Sequence, residues 1–168
     1  MTDSRFDTDK QAIQEVLDRL FSSYMAKDLE LMLSCYAPDL VTMMPFGEPT
    51  YGLDEWRTLL ENAFAIGTAL HVETDTEEIL INGDWAFEWH SEWAQRIKIP
   101  SNEEHANYLR GMQIFHRQSN GEWKIARYIA NGVPIEDDFQ GQVRKTRANS
   151  VRGRAKLEGM PGLRDTER

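Results

Sequence analysis

A chain of 168 residues with a single cysteine has the size of one domain, or one domain with a tail, and folds without an internal disulfide or a cysteine-built zinc site. Its net charge of −9 is uneven: residues 1–140 hold 11 Lys/Arg against 25 Asp/Glu, whereas residues 141–168 hold 8 against 3. An acidic body repels phosphate backbones and disfavours nucleic acid, no apolar run approaches the roughly 20 residues of a membrane span, and the acidic first residues do not read as a secretory leader, so a cytoplasmic location is expected.

Ile13, Val16, Leu17, Leu20, Phe21 and Tyr24 recur at i, i+3, i+4 spacing and predict an amphipathic first helix, with Asp7, Thr8 and Asp9 as cap and first-turn acids. Asp28 reads as the N-cap of a short second helix carrying Leu29, Met32, Leu33 and Tyr36, stopped by Pro38. Cys35, among apolar neighbours, reads as a buried and inert thiol. Leu40 to Met44 form a predicted strand, and Pro45, Gly47, Pro49 and Gly52 make the next segment an irregular hook. A third helix is expected from about 54 to 65, burying Trp56, Leu59, Leu60, Ala63 and Phe64. From residue 69 the period changes to two, predicting strands at about 69–81, 85–98, 105–118 and 122–131, the first pair joined through Asn82-Gly83. Three helices followed by a run of strands give an α+β class: helices packed on one face of a curved, mostly antiparallel sheet, with a ligand pocket expected between them. That domain covers residues 1–135, and residues 136–168 are read as a basic extension.

Several segments in order resemble the SnoaL-like and DUF4440 branches of the nuclear transport factor 2-like superfamily, to which ketosteroid isomerase, scytalone dehydratase and the association domain of calmodulin-dependent kinase II belong. The resemblance is carried by Ala26-Lys27-Asp28-Leu29, Tyr36-Ala37-Pro38-Asp39-Leu40, Pro45-Phe46-Gly47 with Tyr51-Gly52, Asn82-Gly83-Asp84-Trp85-Ala86 and Gly121-Glu122-Trp123-Lys124-Ile125-Ala126-Arg127. It implies a cone-shaped α+β fold with an enclosed pocket, a small-molecule ligand and a homodimer. The carry-over of site residues is uneven. The general base of ketosteroid isomerase falls at Met44, its helix tyrosine at Leu20 and its protonated acid near Met112 or Gln113, so steroid isomerisation by that mechanism is not expected. Tyr24 matches a pocket tyrosine of scytalone dehydratase and His71 its strand histidine, while Met25 and Met44 replace two further polar groups.

The expected activity is therefore cofactor-free proton transfer, an isomerase, dehydratase or cyclase step on a polyketide-, steroid- or aromatic-like compound, with His71 as base and Tyr24 assisting. The alternative is a non-catalytic association or ligand-sensing domain. Met25, Met44, Trp56, Phe64, Arg110, Met112, Gln113 and Asn131 are the expected ligand contacts, and neither metal nor cofactor is expected. Strand alternation lets only one of Arg110 and Gln113 line the pocket. A regular hairpin groups His71, Glu73, Asp75, Glu77, Glu88, His90 and Glu92 on one face, read as solvated or subunit-facing, against Val72, Leu80, Trp85, Phe87, Trp89 and Trp93 on the other. A bulge within 72–79 is expected to return His71 to the pocket beside Tyr24. Arg144, Lys145, Arg147, Arg152, Arg154 and Lys156 make the extension basic; it reads as a solvated tail, an arm along a neighbouring subunit, or a nucleic-acid arm.

Overall fold

The computed structural model describes residues 4–45 and 47–133, which lie in the first of two compact units, Met1–Pro134. The basic extension lies outside the described residues. The chain runs α1 (Ser4–Ala26), α2 (Leu29–Ser34), β1 (Tyr36–Met43), β2 (Thr50–Tyr51), α3 (Gly52–Ile66), β3 (Gly67–Asn82), β4 (Trp85–Lys98), β5 (Glu104–Arg117) and β6 (Trp123–Val133). The strands form one sheet in the order β2-β1-β6-β5-β4-β3; β1 runs parallel to β6 and every other pair is antiparallel. Helices packed on a curved, unclosed sheet make this the expected α+β architecture.

Local chemistry sets the joints. Lys27 adopts a left-handed conformation (φ 54°) at the end of α1, and its ammonium donates to the carbonyls of Phe64 and Gly67 and to Thr68 Oγ1, tying α1 to the end of α3. Asp28 caps α2 by accepting from the Leu31 amide at 3.0 Å. The first strand begins at Tyr36 rather than Leu40, because the Ile125 amide already donates to the Cys35 carbonyl. Pro38 falls where the β1–β6 register shifts, between Tyr36 and Val41, so its missing N–H interrupts no ladder bond. The expected hook contains β2, which pairs with β1 and joins Thr50 to Thr42 through their hydroxyls at 2.7 Å.

Ile13 and Val16 of α1, Met32 and Leu33 of α2, and Trp56 and Leu60 of α3 pack on Tyr36, Leu40, Phe115, Ile125 and Tyr128 of the sheet. Cys35 is 1% exposed, and burial pushes its thiol up, which keeps it protonated. The start of α1 is fixed to the far strands by Asp9, whose two oxygens accept from Arg117 Nη1 and Nη2 at 2.7 and 2.5 Å, with the Trp123 indole N–H at 3.3 Å.

Candidate functional site

The side of the sheet facing the helices is settled by the ladder. The hairpin closes Asn82 on Trp85, and the register shifts twice in β3, between Thr76 and Glu78 and between Ala69 and His71. Glu77 is the extra residue of the first shift, within the stretch where a bulge was expected. Its effect on His71 is the reverse of that expectation. The rows facing the helices are Ile81–Ala86–Phe115–Ile125, Ile79–Glu88–Gln113–Tyr128, Thr76–His90–Gly111–Ala130, Thr74–Glu92–Leu109–Gly132 and Val72–Ala94–Asn107. The acidic half of β4 therefore points inward: Glu88 is 1% exposed and His90 3%. Trp85, Phe87 and Trp89 point outward, at 40%, 39% and 43% exposure, so the solvated and buried faces expected for β4 are exchanged. The small side chains Ala86, Ala94, Gly111 and Ala130 lie inward, where the helices approach, and the indoles do not fit there.

On this inner face a carboxylate and an imidazole form a buried pair. His90 Nδ1 lies 2.8 Å from Glu88 Oε2, and Thr76 Oγ1 donates to Glu88 Oε1 at 3.1 Å. A carboxylate only accepts, so the imidazole donates from Nδ1, and in the neutral ring the lone pair lies on Nε2. Gly111 stands opposite His90, and a Cβ there would lie 2.4 Å from Nε2 and 3.2 Å from Tyr128 Cε2. The missing side chain leaves a slot in which the imidazole rests, its ring centroid 6.2 Å from that of Tyr128. Burial, reinforced by the nearby Glu92 and Glu88 charges, pushes the Tyr128 phenol well above its ordinary range; burial does the same to Tyr36. Both hydroxyls remain protonated donors.

Farther along β4, Arg96 joins three elements. Its Nε and Nη2 donate to Tyr24 Oη at 3.1 and 2.9 Å, Nη2 also donates to Glu92 at 3.1 Å, and Nη1 donates to Asn107. Burial works to lower the Arg96 pKa, but Tyr24 and Glu92 outweigh it and the net shift is upward. The Tyr24 oxygen accepts from the guanidinium, which leaves its own O–H to donate.

Of the expected site residues, Tyr24 and Phe64 meet at 5.8 Å between ring centroids, Trp56 is buried edge-on to Tyr128, Met44 packs against the core, and Gln113 is buried on the inner face. His71 is elsewhere. Its ring is half exposed on the outer face, bonded to Glu73 at 3.0 Å and edge-on to Trp93, with no contact to Tyr24. Arg110, Met112 and Asn131 share that outer face, opposite Ser91, Trp89 and Arg110 in the ladders, and Met25 is 39% exposed on α1. Sequence reasoning missed Glu88, His90 and Glu92 because clustered charge was read as solvated, and it gave Arg96 no role. The alternation Ala86–Glu88–His90–Glu92–Ala94 was the available signal: two alanines in phase with the charges mark the closely packed side. Among the described residues no group of three His, Cys, Asp or Glu side chains is placed to hold a metal ion, and no helix is long and apolar enough to cross a membrane.

Residues 17–128 match the model of the SnoaL-like domain. The chain belongs to the SnoaL-like family. None of the curated proteins matches it. Among solved structures, it is similar to a ketosteroid isomerase-like protein from Erwinia carotovora atroseptica, with a TM-score of 0.69 at 17% identity over 74% of this chain and 95% of that one. A scytalone dehydratase candidate from Novosphingobium aromaticivorans gives a TM-score of 0.66 at 14% identity, over 80% and 89% of the two chains. An NTF2-like protein from Pseudomonas putida gives 0.61 at 14% identity, over 79% and 91%. At these identities the likeness establishes the shared fold of this SnoaL-like domain and nothing of its chemistry.

Proposed function

We propose that this SnoaL-like domain binds an apolar, aromatic-like small molecule against its inner sheet face and performs cofactor-independent proton transfer there, with His90 as base and Glu88 orienting it. The buried Glu88–His90 pair at 2.8 Å carries this reading. A carboxylate that fixes the imidazole tautomer and leaves Nε2 as acceptor is a general-base arrangement. Applied to a carbonyl compound, Nε2 takes a proton from the adjacent carbon and the C–H electron pair moves into the carbonyl, giving an enolate. The protonated Tyr128 hydroxyl donates a hydrogen bond to that oxygen. Return of the proton to another carbon completes an isomerisation; departure of a β-hydroxyl, which takes the proton and leaves as water, completes a dehydration.

A generic base probe tests this. 5-Nitrobenzisoxazole loses one C–H proton, breaks its N–O bond and yields a coloured cyanophenolate, without needing a matched substrate. Turnover above the buffer rate is expected, falling at least tenfold in His90→Ala with the thermal midpoint followed in parallel. A folded His90→Ala protein that retains the wild-type rate would refute the proposal.

The same fold supports a homodimer through the outer sheet face. Trp85, Phe87, Trp89 and Met112 form its exposed apolar centre. Acids flank it on β3 (Glu73, Asp75, Glu78), and Arg110, Lys124 and Arg127 lie toward β5 and β6, so two copies of this face are complementary in charge.

A further inference from the structure

We propose that Gln113 anchors a neutral hydroxyl group of the ligand, so that the site takes hydroxylated aromatic compounds; this rests on the inner face being the ligand site. Gln113 is 5% exposed, and its side-chain oxygen Oε1 is fully buried without a hydrogen-bond partner. A methionine would fill the same volume without burying a bare acceptor, so the carboxamide contributes nothing to the core that an apolar side chain would not. An orphaned acceptor of this kind is open to a donor from outside the protein, a water or a ligand hydroxyl. Its position says where. Gln113 lies between Glu88 and Tyr128 in one ladder row, and the next row holds His90, Gly111 and Ala130, two of them small. A ligand seated over Ala130, beside the Gly111 slot that the imidazole fills, therefore has His90 and Gln113 as neighbours.

The chemistry of the donor follows from what surrounds it. Both oxygens of Glu88 already accept, from Thr76 and His90, and Glu92 is neutralised by Arg96. No uncommitted carboxylate is on hand to draw an ammonium group, so a neutral donor fits, and a hydroxyl supplies the single O–H that Oε1 lacks. The adjoining core is aromatic: Trp56 stands edge-on to both Tyr36 and Tyr128.

The experiment compares 2-naphthol with 2-methoxynaphthalene, which keeps the ring and the oxygen but has no donor, by equilibrium fluorescence and calorimetric titration. Wild-type protein is expected to bind the naphthol about tenfold more tightly, the effect of one hydrogen bond to a buried acceptor. In Gln113→Met the preference is expected to vanish while the methyl ether still binds and the thermal midpoint holds or rises. Should that variant not fold, the Gln113 side-chain amide resonances of the wild type must shift with 2-naphthol and not with the ether. Equal affinity for the two probes, a preference that survives Gln113→Met, or no binding of 2-naphthol overturns the proposal. Binding is read without turnover, so it can fail while the His90 base reaction stands, and the reverse.

Discussion

Gly111 faces the imidazole of His90 across the β4–β5 ladder, and a methyl group there would stand 2.4 Å from Nε2. The ring cannot retreat freely, because Glu88 holds its other nitrogen and Tyr128 lines the slot. In Gly111→Ala the imidazole must rotate away from Glu88 or the strand must move, at a cost of about 1–3 kcal/mol of stability. The expected outcome is loss of most base activity on 5-nitrobenzisoxazole, together with loss of the hydrogen-bonded Nδ1 proton resonance. An unchanged resonance and rate would show that the slot has slack. Glu88→Gln should be milder than His90→Ala, since the carboxamide can still accept from Nδ1 but also presents an N–H that favours the opposite tautomer.

At the scale of elements, the Asp9–Arg117–Trp123 contact pins the first turns of α1 onto β5 and β6, and Asp84 holds the same arginine at 3.1 Å. Hydrogen bonding to Arg117 outweighs burial and holds the Asp9 carboxyl below its ordinary value of 3.8. A depressed native pKa stabilises the fold above the unfolded value, and the contribution fades as pH falls through the native value. Asp9→Asn should therefore cost about 2 kcal/mol near neutrality, seen as a lowered thermal midpoint. Its gap from wild type should close as the pH drops below 3.8, toward the lowered native pKa. A gap that stays constant down to that range would mean that the pin is held by shape rather than charge.

For the whole molecule, the outer face carries Glu73, Asp75 and Glu78 on β3 and Arg110, Lys124 and Arg127 on β5 and β6, with tryptophans between. Glu104 at the start of β5 and Asp39, paired with Arg127, are acids on the basic side. A twofold axis running along the strands lays β3 of one copy over β6 of the other and sets acid against base. An axis across the strands would stack acid on acid, which complementarity disfavours. Sedimentation should show a dimer at micromolar concentration, a monomer for Trp89→Asp, and for Arg110→Glu a weakening that is largest at low salt, since exposed charges are screened within about 10 Å at 0.1 M. A wild-type monomer under these conditions removes the dimer from the functional reading.

Local patterns in the sequence were enough for the three helices, the long strands and the family, because periods of 3.6 and 2 and the turn residues are written in adjacent positions. They were also enough for the inward positions of Tyr24, Trp56 and Phe64, which follow from helix spacing. Which side of the sheet meets the helices was not local information. An alternating strand offers two faces, and a single extra residue at Glu77 exchanges the faces of the side chains from His71 to Thr76, up to the second shift at Ala69/His71. Charge made the wrong side look solvated, yet Glu88 and His90 bury each other, and the indoles of β4 are too large for the space beneath α1 and α3. Only packing across the whole domain decided that His90 faces inward and His71 does not.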